Sequence, residues 1–553
     1  MMPRSGPPTA FASSGWSVVF AVALLSCGDG DQPAGSSTVP TPTPSPVPTP
    51  TPTPTPVPTT STPEGPALSP VAPRAGVDAL QCDAEPPMYW ELDGVRVFDD
   101  EAEVSPWDVA PGLWACVASD GGRSEVEATL VGGNVLLVLL DDIGVDRVGH
   151  YGLHADTPPT PRLDRLAAEG MRFERAYATP VCSATRAALL TGKQPTRTGV
   201  GALVELDDTV DWMDGHGSLA HLMGGAGYGT ASVGKWHLSP GVGVEWADHP
   251  GRIAGFDWFR GPLNNPGVDN SAEVDGDYFR WIDDNNGVFE ERSGYLTTAT
   301  IDDAIDQVGT LPEPWFVYVP LNAAHIPLHV PPESLLDVAE PPFTSDADVF
   351  DAMVEATDRE LGRLLDAVAS VGDRTTVIVL SDNGTNGEVM RPPTDPLRSK
   401  GTVYEGGVRV PMWVSGPLVS QPGGVSDALV NVVDLYPSLA ALAGGADDGQ
   451  SRDGLSLLPY IADPARPSER GVVYTELFKP NGFGTRYRSQ RMVTDGSYKI
   501  IESVQADDLH FHELSPDSID EGERILERSA AEEVAYQALR DALEATKAEL
   551  ALP

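Results

Sequence analysis

The chain has 553 residues, enough for several domains, and an apolar share of 41%, enough to build buried cores. Its 36 basic residues against 81 acidic ones leave a formal net charge of −45. Such a surface repels nucleic acid and anionic membranes, which are bound through Lys and Arg on phosphates. Lysine is scarce, at positions 193, 235, 400, 479, 499 and 547 alone, so a lysine inside a motif is informative.

The N-terminus reads as an export signal: Arg4 supplies the positive end, and residues 16–25 form an apolar core too short for a stable membrane span. It ends in Leu24-Leu25-Ser26-Cys27, which resembles a bacterial lipobox. The resemblance implies cleavage before Cys27, acylation of that residue and membrane contact through the lipid alone. An ordinary signal peptide and an uncleaved anchor are also compatible with the pattern. Residues 38–66 are almost wholly Thr, Pro, Ser and Val. Proline keeps such a segment extended and unable to pack, so a stalk reaching about 80 Å, or a plain spacer, is expected.

Segment 67–132 has the turn-punctuated alternation of short strands. Cys82 and Cys116 within it form, in an exported protein, a natural disulfide pair. With Trp90 and Trp114 the run resembles an immunoglobulin-like β-sandwich module. Cys182 is then left without a partner, which in an oxidising compartment calls for an explanation.

From residue 133 apolar runs alternate with amphipathic helices, the pattern of an α/β domain with a largely parallel sheet. The strand-like runs 134–140, 229–234, 315–321 and 375–380 lead to Asp141-Asp142, Lys235-Trp236-His237, His325 and Asp382-Asn383-Gly384 respectively. Helices are expected over 160–169, with Thr160 as N-cap and Pro161 in the first turn, and over 348–370. Ligands of open α/β sheets bind beyond the carboxyl ends of the strands. Singly, each polar group reads as a cap, a turn or a hydrogen-bonded core histidine; jointly they suggest one site. The Ala- and Leu-rich stretch after Cys182 is a good helix former, which puts Cys182 at a helix N-terminus where anions are favoured. A thiolate nucleophile of the cysteine-protease kind suits that position too.

The run CSATRAALLTGK at 182–193 resembles the signature of the formylglycine-dependent sulfatases, relatives of alkaline phosphatase. So do DDIG at 141–144, YG at 151–152, LDRLAAEG at 163–170, GKWHL at 234–238, AHIP at 324–327, SDNG at 381–384 and KGTVYEGGVRVP at 400–411. The motifs follow family order over nearly all of 134–521. The implied fold is α/β: an alkaline-phosphatase-like mixed sheet between helices (133–465), then a smaller α+β C-terminal subdomain (466–553) to which 491–501 and a helix at 530–550 belong.

What the resemblance implies for the site follows residue by residue. Cys182 is oxidised by a maturase to Cα-formylglycine, whose hydrate attacks sulfur. Asp141, Asp142, Asp382, Asn383 and the residue at 182 hold a hard divalent cation, calcium rather than magnesium. Arg186, Lys235 and Lys400 bind sulfate and offset its charge, His325 with Lys400 protonates the leaving alcohol, and His237 takes the proton that lets sulfate depart. Three aspartates, the metal and three cationic side chains sum to about +2, a suitable host for a sulfate ester. Where the family usually has Pro two residues after the cysteine, this chain has Ala184, which bears on which maturase acts. His329 lies near the expected mouth.

A sulfated small molecule or carbohydrate is the expected substrate. A phosphate or phosphonate monoesterase on the same scaffold, and a non-catalytic surface binder, are the competing readings. The acidic exterior predicts a preference for compact, lightly sulfated esters, because like-charge repulsion slows a polysulfated chain. Were polymers preferred instead, Arg486, Arg488 and Arg491 would be the groove to test.

Overall fold

The computed structural model describes residues 133–205, 212, 216–239, 250–266, 276–339, 341–372, 374–444 and 450–552, and the backbone of seven short strands before them. Those strands are β1 (Leu68–Pro70), β2 (Leu80–Cys82), β3 (Met88–Leu92), β4 (Val95–Asp99), β5 (Glu103–Val104), β6 (Gly112–Ala118) and β7 (Arg123–Ala128). They form an antiparallel sheet ordered β1-β2-β5 and another ordered β4-β3-β6-β7. Cys82 lies in the first and Cys116 in the second. Their side chains, and so the expected disulfide, lie outside the described residues, as does the lipobox with Cys27.

The main sheet has ten strands. In chain order they are β8 (Asn134–Leu140), β9 (Met171–Tyr177), β10 (Gly229–Val233), β11 (Trp258–Gly261), β12 (Arg280–Asn285), β13 (Val288–Ser293), β14 (Trp315–Pro320), β15 (Thr375–Ser381), β16 (Arg409–Ser415) and β17 (Gly424–Asn431). In space they run β13-β12-β11-β10-β14-β8-β15-β16-β9-β17. The central β10, β14, β8 and β15 are mutually parallel, while β16 opposes both its neighbours.

Every residue of β8, β14 and β15 is buried. Helices cover both faces, so these strands read as unbroken apolar runs rather than alternating ones. The pleat then divides each strand between two cores. Val135, Leu137 and Leu139 pack with Leu189, Leu190 and Leu439 on one face. Leu136, Val138 and Leu140 pack on the other with Ile301 and Val308 of the helix Leu296–Thr310 and Met353, Leu361 and Leu364 of the helix Asp346–Val371. That second helix starts two residues earlier than its apolar pattern suggests, because Ser345 and Asp348 form a reciprocal capping box.

The first helix, α1 (Pro161–Glu169), corrects one expectation. Thr160 holds the N-cap position but its side chain caps nothing. The free amides of Arg162 and Leu163 instead donate to the buried Asp358 carboxylate, at 3.1 and 2.8 Å, on the helix Asp346–Val371. A tertiary carboxylate thus does the work of a local hydroxyl.

At the C-terminal end, β18 (Val473–Lys479), β19 (Arg488–Thr494), β20 (Tyr498–Ser503) and β21 (Asp508–Glu513) form a separate antiparallel sheet. One face, with Tyr474, Val493, Ile500 and Phe511, packs on Leu539 and Leu543 of the helix Ala530–Glu549. The other face sends Val473, Leu477, Met492 and Ile501 into the main core. Among the described residues no helix is long and apolar enough to cross a membrane.

Candidate active site

Strand direction decides what meets at the site. Because β10, β14, β8 and β15 are parallel, Lys235–His237, Asn322–His325, Asp141-Asp142 and Asp382-Asn383 all follow their strands at one edge of the sheet. Strand β9 runs the same way and delivers the chain to α2 (Cys182–Thr191). Antiparallel β16 starts at that edge, so Lys400 arrives from the segment before it. Backbone bonds lace the ends together: Asp141 N donates to Ala323 O (3.1 Å), Ala324 N to Asp141 O (2.8 Å), Lys235 N to Pro320 O (2.7 Å) and Asp382 N to Leu140 O (2.9 Å). Gly234 (φ 125°) allows the close pass, since a Cβ there would meet Pro320 O at 2.2 Å. Asp142 and His237, neither of them glycine, are held at φ 64° and 56°. Such left-handed conformations in L-residues persist only where surrounding structure imposes them, and they gather at functional sites.

Cys182 is the first residue of α2, wholly buried, and its thiol donates to Asp141 Oδ1 at 3.6 Å. Burial, then the Asp141 and Asp382 carboxylates, push the thiol far above its ordinary pKa. That bias runs against a thiolate nucleophile of the cysteine-protease kind. One turn on, Arg186 Nη2 donates to Asp141 Oδ2 and Asp382 Oδ2, both at 2.9 Å, and Nη1 to Lys235 O at 2.7 Å. Lys235 Nζ reaches Asp141 Oδ2 at 2.5 Å. Lys400 Nζ and Asn383 Nδ2 both donate to Asp142 Oδ1, the latter at 2.7 Å.

Charge explains the titration bias of these groups. Burial works against the Asp141 carboxylate, but Lys235, His325 and Arg186 outweigh it and hold it well below the usual range. Burial pushes Asp382 up, and Asp141 adds to this. Asp142 is raised for the same two reasons despite Lys400. Burial thus sets two of the three carboxylates against ionising, while the cations beside Asp141 keep that one charged. Ligand atoms of Asp141, Asp142, Cys182 and His325 lie within 4.8 Å of one another. Asp142 Oδ2 and Asn383 Oδ1 are buried oxygens without a hydrogen-bond partner. Such oxygens normally find a donor or a metal, so the residues fit a hard cation. Asp382 and Asn383 stand beside this cluster: Asp382 Oδ1 accepts from Asp142 N at 3.4 Å and its Oδ2 from Arg186, while Asn383 Nδ2 donates to Asp142 Oδ1 and leaves its Oδ1 open. His325, expected only as an acid, sits inside it, with Nε2 4.0 Å from Asp142 Oδ2.

His325 Nδ1 donates to Ile326 O at 2.7 Å, leaving Nε2 as the ring's working atom. Burial, with Lys400 and Lys235, holds this imidazole neutral. His237 is likewise held neutral, by burial, Lys235 and Arg186, and its Nδ1 has no partner. His329 is a prop: its Nδ1 donates to Pro327 O (3.0 Å), its Nε2 accepts from Tyr295 OH (3.2 Å), and its ring stacks on Tyr278 at 4.0 Å. Tyr278 OH in turn lies 2.6 Å from Asn322 O and 2.7 Å from His325 O, fixing the His325 turn. Sequence reasoning missed Tyr278, which carries no motif. It also missed Thr185, whose hydroxyl donates to Asp382 O at 2.6 Å and accepts from Thr179 N at 3.0 Å. Its only signal was its place one turn into α2.

The sulfatase family profile matches residues 133–446, more than half of the chain. The chain belongs to the sulfatase family. Human N-acetylgalactosamine-6-sulfatase is 32% identical over 371 residues, covering 62% of this chain and 68% of that protein. Human arylsulfatase A is 31% identical over 401 residues, covering 66% of this chain and 74% of its own. In structure, the sulfatase resembles Ps i-CgsB, crystallised with k-i-k-neocarrahexaose, at TM-score 0.62 and 25% identity over 75% of this chain and 92% of that one. The protein is a sulfuric ester hydrolase with a pocket able to hold a metal, and its mixed sheet is that of the alkaline-phosphatase-like sulfatases.

Proposed function

We propose that this sulfatase removes sulfate from sulfated carbohydrates through a formylglycine formed at Cys182, assisted by calcium. The observation that carries the reading is the seating of Cys182. It is a buried cysteine at the head of α2, touching Asp141 and framed by Arg186, Lys235 and Lys400, with a thiol biased against ionising. The carbohydrate class is supported by the names of the relatives: one acts on an N-acetylgalactosamine 6-sulfate and another was crystallised with a neocarrahexaose.

Asp141, Asp142, Asp382, Asn383 and the oxygen at 182 would hold the cation, which would polarise a sulfate oxygen as a Lewis acid. A hydrated formylglycine at 182 supplies two hydroxyls, one to attack sulfur and one to release the sulfate afterwards. Lys235 and Lys400 bind the remaining sulfate oxygens and stabilise the charge that builds on them. Burial pulls against the Lys400 ammonium, but Asp142 and its neighbours outweigh that and keep it charged. Arg186 orients residue 182 through Asp141 and Asp382. His237, held neutral, accepts a proton from a hydroxyl at 182. His325 Nε2, with the Nδ1 hydrogen committed to Ile326 O, faces the same carboxylate as Lys400 and is placed with it to pass a proton to the departing alcohol.

The lipobox-like sequence at Cys27 and the stalk after it support an exported, lipid-anchored enzyme in a bacterial cell envelope, matured by a formylglycine-generating partner. Turnover of an aryl sulfate and an aryl phosphate by matured protein tests the assignment. The sulfate is expected to be faster by at least about tenfold, the scale of a single well-placed interaction. A faster phosphate would favour the phosphatase alternative. Chelation is expected to abolish turnover and to remove about 3 kcal/mol of stability relative to protein at roughly 100-fold the cation's Kd. Calcium should restore both more fully than magnesium; a melting transition and rate unmoved by chelator would count against the metal.

A further inference from the structure

The family profile ends at residue 446, yet the C-terminal sheet is hydrogen-bonded to segments that flank Lys400 and Cys182. Strand alternation decides which side chains do so. Val473, Leu477 and Met492 face the main core, so Lys479 and Arg488, on the same parity of β18 and β19, project from the same face at the strand ends. The register pairs Lys479 directly with Arg488. Like charges opposite each other on one face repel, a destabilising arrangement unless an anion lies between them.

Two tethers tie this end of the sheet to the chain on either side of Cys182. Arg488 Nη2 donates to Gly401 O (3.3 Å), the residue after Lys400, and Gly401 N donates to Pro180 O (2.8 Å), two residues before Cys182. On the other side Asn481 Nδ2 donates to Leu203 O (2.9 Å), while Val204 N donates to Ser183 Oγ (3.0 Å), the neighbour of Cys182. Arg488 is exposed and has no ion pair among the described residues; Lys479 is only loosely engaged by the exposed Glu205, at 3.5 Å. The other two arginines of the suspected groove do not serve it. Arg486 is stacked on Phe478 and paired with Glu476, and Arg491 is buried against Glu502 at 2.9 Å.

From this we infer that Lys479 and Arg488 form a subsite for a second oxyanion, a carboxylate or a further sulfate, on the sugar that leaves. The inference rests on the carbohydrate reading above. It also refines the charge argument: the global −45 disfavours long polysulfated chains, while a cation pair at the rim selects a short substrate with one extra negative group.

The test is the ratio of kcat/KM for an acidic disaccharide sulfate to that for 4-nitrophenyl sulfate, measured for parent enzyme, Arg488→Gln, Lys479→Gln and the double variant. One disaccharide carries a uronate carboxylate and another a second sulfate, so the arms tell the two sources apart. The ratio is expected to fall about tenfold on loss of Arg488, mainly through KM, more in the double variant, and to converge with the parent at high salt. The aryl sulfate rate reports independently on the ester chemistry. A ratio unchanged in both disaccharide arms, or a loss shared equally by the aryl sulfate, overturns the subsite and leaves the sulfatase assignment standing.

Discussion

Cys182→Ser is expected to lose turnover by at least about a thousand-fold, the scale on which deletion of a covalent nucleophile acts, while the protein stays folded. The side chain is wholly buried and its one polar contact is with Asp141 Oδ1. A serine hydroxyl can make that contact, so the stability change should stay within about 1 kcal/mol. In the proposed formylglycine mechanism, what serine cannot provide is the second hydroxyl on one carbon that would release sulfate. The variant should therefore fail at release and bind sulfate esters no worse than the parent. Peptide mass spectrometry of active parent enzyme should find an aldehyde where the thiol was. A quantitative free thiol at 182 in enzyme turning over at full rate would sink the mechanism. Ala184, placed in the first turn of α2 where the family usually has proline, adds a second readout: the fraction converted shows whether a given maturase accepts the altered core.

The residues of the candidate site could be picked out because they sit at the ends of strands buried on both faces, whose apolar runs are unbroken. Asn134–Leu140 and Trp315–Pro320 announce themselves, and the polar residues behind them then stand at one sheet edge by topology alone. The Cys182 helix was legible for its composition. The supports were not. Asp358 caps α1 across 195 positions, and Tyr278 props a turn 44 positions away. Neither spacing leaves a local pattern, and Thr160 offered a plausible local cap in its place. His329 could be read only as lying near the mouth, because its role as a support shows in the partners of its two ring nitrogens and not in the sequence around it. The pairing of Lys479 with Arg488 depends on the β18–β19 register, which the intervening loop hides. The order β16-β9-β17 reads poorly too, since β9 precedes its partners by over 200 positions.

Lys499→Met is expected to destabilise the protein at neutral pH by about 3–5 kcal/mol, the cost of leaving buried charge without its partner. Lys499 Nζ is fully buried and reaches Glu405 Oε1 at 2.6 Å, Glu521 Oε1 at 3.0 Å and Val403 O at 3.2 Å. Glu521 also accepts from the Glu405 amide at 2.6 Å. Methionine fills much of the volume, so the loss is electrostatic: two carboxylates would face each other in the interior. Burial already raises Glu521, with Lys499 pulling it down and Glu405 pushing it up. Without the lysine its pKa should climb further. A carboxyl whose folded pKa exceeds its unfolded one binds more protons when folded, so stability falls as pH rises through that window and recovers as pH drops. Urea unfolding should therefore show a deficit at pH 7 that shrinks towards pH 5, and Glu521→Gln in the same background should remove most of the pH dependence. Turnover should fall as well, because Val403 and Glu405 follow Lys400 closely in the chain and the triad anchors that turn to β20. A Lys499→Met protein as stable as the parent at pH 7 would show that the triad contributes no net stability, and that Lys400 is held by the turn's own backbone bonds, such as Lys400 N to Thr385 O at 3.1 Å.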